Sequence, residues 1–511
     1  MPRAPSNRFL LYALANVSFA LIVGIAYAVF GFPNPRLLHL ILLFALCSAP
    51  ILFFDGLNGR YALLGLFMLV YFVSYGVGDL TNLFTVPDAS AALSPQGPST
   101  VFSKAEMVIL IGGCLLVLGY CCAERLVRAA NDRSLAARDW SRMTIMTVGL
   151  AFWVIGTVAT YRWNIYIVPD SSNEDLRKGL ASVSTAAVTA YLVAQMCQPV
   201  GILLLAYAYR TFRSPYLLPL IITVVAAQLF IGFVVDVKGL AMLGIILVIM
   251  TGVLIEGRIP KIWFVGFILF VAFLFPFFQA YRGAIHGNVT RTAVVENFGK
   301  ILEKTIAAKD KVNTGRDRAQ TFLERSSVKA SVEIVVARAG NGVPFQQGYT
   351  LSPILAAFVP KLVWSEKVRV PTGQLFNKAF HIADSDDVYI SPSHLGELYW
   401  DFGWTGVLVG MPLIGLICGW VGARFNLAEY TTVTRVLVTV ITIKLLIVGF
   451  EGSISDIYVV WLRSLAGIGI LHTIFARRPI ASGASSAKDL EPQPPAAEHP
   501  AGEPLFPNLL T

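Results

Sequence analysis

Long apolar runs follow one another along almost the whole chain, and this limits its possible folds more than any other feature does. Runs of roughly 17 to 25 apolar residues are long enough to cross a bilayer as helices, which satisfy their own backbone without a partner strand. Twelve are expected, at 9–30, 37–54, 61–80, 106–123, 143–162, 184–209, 216–235, 239–255, 262–280, 403–423, 434–450 and 456–475. Of the 511 residues, 56% are hydrophobic and 14% charged, more apolar side chain than a soluble core can bury. The expected fold is therefore all-α, a polytopic membrane protein of about twelve transmembrane helices. The first run follows Arg3 and Arg8, continues from Phe9 to about Phe30 and reaches Pro33 without a small-residue cleavage site, so it reads as a retained span.

Charge then sets the orientation. With a cytoplasmic N-terminus, the inner segments hold Arg60, then Arg125, Arg128, Arg133, Arg138 and Arg142, then Arg210, Arg213, Arg258, Lys261, Arg424, Arg435, Arg477 and Arg478. The short outer loops hold only Arg36, Lys104, Arg177 and Lys178, with Arg162 and Lys238 at their edges. Cytoplasmic loops carry the excess of Lys and Arg, so both termini are expected in the cytoplasm. The net charge of +9 thus reports orientation and gives no reason to invoke nucleic acid. Cys47, Cys114, Cys121, Cys122, Cys197 and Cys418 all fall inside apolar runs and read as buried, inert thiols.

These spans divide the chain into helices one to nine (1–280), a periplasmic loop domain (281–402), helices ten to twelve (403–478) and a tail (479–511). A connection of some 120 residues needs structure of its own and is a natural place for chemistry. Within it Val294, Val295, Phe298, Ile301, Leu302 and Ile306 recur at helical spacing, as do Val328, Val332, Val335 and Val336, predicting amphipathic helices over the membrane domain. The tail, with Pro492, Pro494 and Pro495 and few large apolar groups, reads as disordered and cytoplasmic.

No Walker loop, dinucleotide fingerprint, CxxC pair, HExxH or GxSxG stands in a fitting context, so neither a cofactor nor a metal is expected. The most informative window is Ser391-Pro-Ser-His-Leu-Gly-Glu-Leu-Tyr-Trp-Asp-Phe-Gly-Trp-Thr-Gly. If Ser391 caps a helix with Pro392 in its first turn, His394, Glu397 and Asp401 share one face at the mouth of the tenth span. A carboxylate or imidazole there is placed to take a proton from a sugar hydroxyl. The alternative reading is that the three cap helices or pair with nearby Arg or Lys.

In that window Gly396, Glu397, Tyr399, Phe402, Gly403 and Gly406 form a Gly-Glu-x-Tyr-x-x-Phe-Gly-x-x-Gly pattern ahead of a glycine-rich helix. The pattern resembles that of the O-antigen and exopolysaccharide repeat-unit polymerases of the Wzy type. Upstream, Gly348-Tyr349 and the stretch Phe358-Val-Pro-Lys361-Leu-Val-Trp-Ser-Glu-Lys367 look like a family segment, with Lys361 where Arg is usual and Val368 where Pro is usual. Tyr281-Arg282 also fits, and Asp236-Val-Lys238 stands where Ser-Arg is common. The resemblance implies a metal-independent glycosyltransferase that moves a growing glycan from undecaprenyl pyrophosphate to a hydroxyl of the next lipid-linked repeat unit. Glu397, or else His394 or Asp401, would serve as base. Its partners would be undecaprenyl-pyrophosphate-linked glycans and membrane lipid, with a chain-length regulator and a flippase as further candidates.

Ionisable groups inside spans are costly and mark polar cavities. Lys444 and Arg463 lie six or seven residues inside the outer ends of the last two spans, about 10 Å deep at ~1.5 Å per residue. With Arg162, Lys238 and Arg282 at the same outer level, and Lys361, Lys367 and Tyr399 from the loop, they make a candidate pyrophosphate and glycan site. The other reading is that Lys444 and Arg463 snorkel or pair with Glu451 and Asp456. Three further functions compete with the polymerase: an O-antigen ligase, a transporter or flippase of lipid-linked oligosaccharide, and a non-enzymatic assembly subunit.

Overall fold

The computed structural model describes residues 5–30, 36–53, 61–82, 103–130, 138–163, 185–235, 238–256, 281, 291–308, 328–356, 359, 364, 370–383, 388–425, 432–476 and 478–479. The first eight helices are α1 (Pro5–Phe30), α2 (Arg36–Phe53), α3 (Ala62–Asn82), α4 (Lys104–Ala130), α5 (Arg142–Arg162), α6 (Thr185–Phe212), α7 (Leu217–Val235) and α8 (Lys238–Glu256). The long connection contributes α9 (Arg291–Glu296), α10 (Phe298–Ala308), α11 (Lys329–Arg338), α12 (Ser352–Ala356), α13 (Thr372–Phe380) and α14 (Ser393–Phe402). Then come α15 (Trp404–Arg424), α16 (Val433–Thr442) and α17 (Ile454–Phe475). A two-residue antiparallel pair, Arg138–Asp139 with Arg478–Pro479, is the strand structure among the described residues.

Helices occupy eleven of the twelve expected positions, and the ninth position, 262–280, lies outside the described residues, as does the tail after 479. Among the described residues six segments are long and apolar enough to cross a membrane: Lys104–Val127, Arg142–Arg162, Leu217–Val235, Trp404–Arg424, Val433–Glu451 and Ile454–Phe475. Shorter apolar segments lie in α1, α2, α3 and α8. The Val433–Glu451 segment is not uniform, since α16 passes into a π-helical turn, Ile443–Ile447, and a 3₁₀ turn, Val448–Glu451.

Small residues let neighbouring helices approach closely, which is how apolar helices associate where burial from water offers little driving force. A Cβ on Gly415 of α15 would stand 2.1 Å from the Leu116 carbonyl oxygen of α4, and one on Gly119 of α4 would stand 2.1 Å from that of Pro412. On α4 the far face is bare: Cys114 and Cys122 are exposed, which corrects the expectation that all six thiols are buried. Cys47 and Cys418 are buried as expected.

The valine spacing of the long connection forms what it predicts. Val332, Val335 and Val336 are the buried face of α11, which packs on α3, α4, α13 and α14. Val294 and Ile301 are buried with Tyr281 against Phe233, bringing α9 onto α7. An ion pair fastens α11 to the start of α4: Lys329 Nζ lies 3.3 Å from Glu106 Oε1, both side chains 5% exposed. Glu106 also closes a capping box, accepting from the Ser103 amide at 2.9 Å through Oε2 while Ser103 Oγ accepts from the Glu106 amide. Lys329 is the first residue of α11, where the helix dipole disfavours a cation, so Glu106 and Glu333, 3.8 Å away, stabilise an otherwise costly charge.

Replacing Glu106 with Gln takes the nearer carboxylate from that buried ammonium and leaves Glu333 at 3.8 Å, and the expected loss is about 1–3 kcal/mol. The double variant Glu106→Leu, Lys329→Met should regain most of it. Thermal melting of the purified protein checks both, and full stability of the single variant would refute a supporting role for the pair.

Candidate functional site

Helix α14 starts one residue later than the sequence suggested. Pro392 occupies the N-cap position and makes no side-chain cap, while Ser393 Oγ accepts from the Gly396 amide at 3.3 Å. The residue before a proline is pushed out of the helical region, which keeps Ser391 outside the helix; its Oγ accepts from the Ser393 amide at 3.3 Å. Ser393 is held at φ 64, an uncommon conformation for a side chain of its kind, and is fully buried against the Tyr75 hydroxyl, 3.1 Å away. At the other end Gly403, at φ 61, turns the chain directly into α15.

His394, Glu397 and Asp401 do share one face of α14, and all three are wholly buried. That face rests on the link between α16 and α17. Glu397 Oε2 accepts from the Ile454 amide, the first of α17, at 2.7 Å. His394 Nδ1 donates to the Gly452 carbonyl at 3.1 Å, and its ring lies between Phe450 and Tyr458, centroids 4.9 and 5.7 Å away. Asp401 turns instead to the segment before α12, accepting from Thr350 Oγ1 at 2.5 Å and from the Gly348 amide at 3.2 Å. Both Asp401 carboxylate oxygens are therefore engaged by that turn. Glu397 Oε1 and His394 Nε2, by contrast, are buried without a hydrogen-bond partner among the described residues.

Burial dominates the protonation of this face. It pushes the Glu397 carboxyl up to about 8, against the Ile454 amide and the nearby Thr350 hydroxyl, which favour the anion. It also pulls the His394 imidazole down to about 4, and raises Asp401 above the usual carboxylate range against its bonds to Thr350 and Gly348. Near neutral pH the pair is thus an uncharged imidazole beside a carboxyl that gives and takes a proton close to ambient pH, which suits general acid–base work.

Around it lie Ser74, Thr372, Tyr389, Ser453 and Ser455, which the sequence did not single out, together with Glu451 and Asp456, which it did. Ser453 Oγ meets Ser455 Oγ at 3.0 Å, and Ser455 Oγ meets Thr372 Oγ1 at 3.3 Å. The Tyr389 hydroxyl donates to Asp456 Oδ2 at 2.9 Å, and Ser74 Oγ donates to Glu451 Oε1 at 3.1 Å. The available signal was the run Gly452-Ser-Ile-Ser-Asp456, unusually polar for a short link between two apolar helices.

The expected cations are not among the hydrogen-bond partners of this face. Arg463 is exposed and nine residues into α17 from Ile454, about 13 Å along the axis from the amide Glu397 holds. Lys444 is partly exposed in the π-helical turn, and Arg162 is exposed at the end of α5. Tyr399, two residues from Glu397, points away from it, and its ring lies 5.5 Å from the Lys104 ammonium and 6.1 Å from the Trp404 ring. That removes Tyr399 from the Glu397 face. Arg282, Lys361, Lys367 and the side chain of Lys238 lie outside the described residues. Among the described residues no three His, Cys, Asp or Glu side chains converge as a metal site requires. Comparison with known proteins returned no matching family model, curated protein or solved structure.

The two roles of the face separate in a double-mutant cycle. Asp401→Ala should cost about 1–3 kcal/mol, because Thr350 and the Gly348 amide lose a buried acceptor. Thr350→Val added to it should cost less than the sum, since the two share one bond. Strict additivity in melting or denaturant titration would show that the bond contributes nothing.

Proposed function

We propose that the chain polymerises lipid-linked oligosaccharide repeat units, for O-antigen, capsule or exopolysaccharide, at the periplasmic face of a bacterial inner membrane with about twelve spans. The observation that carries this reading is the Glu397 carboxyl, water-excluded and poised near working pH, with one oxygen unpartnered inside the sequence pattern that resembles the repeat-unit polymerases. A hydroxyl of the incoming repeat unit attacks the anomeric carbon of the growing glycan, and its proton passes to Glu397. The bond from that carbon to the undecaprenyl pyrophosphate oxygen breaks, and the electron pair leaves with the pyrophosphate, so the donor itself supplies the driving force. Lys444, Arg463 and Arg282 are proposed to stabilise the departing charge. Because Glu397 is wholly buried, a segment packed over it must shift for a hydroxyl to reach it.

Glu397→Gln should abolish polymer while single repeat units still reach the surface, because Gln keeps the shape but accepts no proton near neutral pH. In the wild type, kcat/KM should rise as pH rises through about 8 and then level, because a base works only when deprotonated. Normal chain length in the Gln variant at matched protein level would reduce Glu397 to a helix cap of α17. A ligase reading predicts loss of transfer to the lipid acceptor with repeat units already polymerised, and the same gel separates it.

Orientation is tested by fusions. A reporter active only outside the cytoplasm should work near residue 340 and fail near 130 and 480, following the distribution of arginines. Activity at 130 would overturn both the orientation and the periplasmic placement of the reaction.

A further inference from the structure

Beside the buried acid face, the long connection exposes a group of large apolar side chains. Leu355 is 78% exposed, Tyr349 49%, Phe402 44% and Phe345 39%. These are not loosely held. The Phe345 ring lies against Gly340 and Gly403, where an added Cβ would stand 2.7 and 3.4 Å from it, and the Phe402 ring lies against Gly348 at 2.9 Å. The Gln346 and Gln347 amides donate to the Trp400 and Asp401 carbonyls, tying the segment to the end of α14. Fixed apolar groups of this size facing water would sacrifice about 25 cal/mol for every Å² they fail to bury.

Their depth follows from what they pack on. Helix α12, which carries Leu355, packs along α17, one of the segments long and apolar enough to cross a membrane. Thr350, two residues ahead of α12, bonds Asp401 in the same helix as Glu397, and Glu397 holds the first amide of α17. So α12 lies at the N-terminal end of that span, and a helix laid against the flank of a span has its far side at membrane depth. Phe402 stands two residues ahead of the Trp404–Arg424 segment, whose Leu408, Val409 and Leu413 are exposed by 50 to 55% as a lipid-facing surface. The exposed side chains of the connection thus stand beside two segments long and apolar enough to cross a membrane, one by packing and one by sequence.

We propose that Phe345, Tyr349, Leu355 and Phe402 form a foot seated in the lipid leaflet on the side of the long connection, among the headgroups and upper acyl chains. Aromatic and aliphatic side chains at this level bury in the boundary region as those of interfacial helices do. The foot requires no particular chemistry at Glu397, and it holds for either orientation in the membrane.

The test uses the full-length chain in lipid nanodiscs. A variant with its six native cysteines replaced receives one cysteine, Leu355→Cys or Tyr349→Cys, labelled with the fluorophore NBD; Lys378→Cys on the exposed side of α13 serves as control. The expected result is blue-shifted emission at 355 and 349, quenched several-fold by lipids carrying a shallow nitroxide and little by aqueous iodide. Lys378→Cys should show the reverse. Iodide quenching at 355 and 349 would overturn the foot, and so would the lack of quenching by either agent, which would mean a protein cover such as a second copy. If the cysteine-free background does not fold, the native chain with a photoactivatable lipid replaces it. Adducts mapped to 345–355 would support the foot, and their absence there would refute it. Neither readout depends on polymer synthesis, so failure of the foot and failure of the polymerase reading are told apart.

Discussion

The bond from the Ile454 amide to Glu397 Oε2 joins two parts of the chain 57 residues apart, and the candidate site depends on it. Helix α17 begins with amides that have no partner within their own helix, at the positive end of its dipole. A carboxylate from α14 meets the first of them, and His394 fixes the carbonyl of Gly452 two residues before it. The long connection is thereby docked onto the turn between the last two helices. Burial follows from this docking, and the unusual protonation of Glu397 and His394 follows from burial.

In the proposed reaction such a contact would serve structure and chemistry together. Half of the Glu397 carboxyl does what a helix cap does, while Oε1 and His394 Nε2 remain buried and unpartnered among the described residues. Buried polar atoms are nearly always satisfied, and those that are not concentrate where a ligand, water or reaction uses them. Asp401 stands on the same face with both carboxylate oxygens bonded to the Gly348–Thr350 turn, so three groups that look equivalent in sequence have different surroundings.

The second anchor is the Lys329–Glu106 pair at the start of α4. Together with the valine face of α11 it holds the connection down at a point remote in sequence from α14. Close glycine contacts between α4 and α15 then lock the helix that starts at the foot of α11 to the helix that continues from α14. The stretch from α11 to α14 is thus clamped at both ends to one helix pair, which keeps the Glu397 face in register with α4 and α15.

Much of this was legible in the sequence. Apolar runs fixed where helices form, because the transfer of twenty consecutive side chains is a local sum that needs no partner. The spacing of Val332, Val335 and Val336 marked the buried face of α11, and the steps between His394, Glu397 and Asp401 put them on one side of α14. The sequence could not say what that side would meet. Glu397 finds Ile454, Asp401 finds Thr350, Lys329 finds Glu106 across 223 residues, and Tyr399 finds Lys104 rather than the acid face. Helical periodicity determines which side chains point together. Which polar groups are buried, and therefore what their protons do, is decided only when distant segments close over them and exclude water.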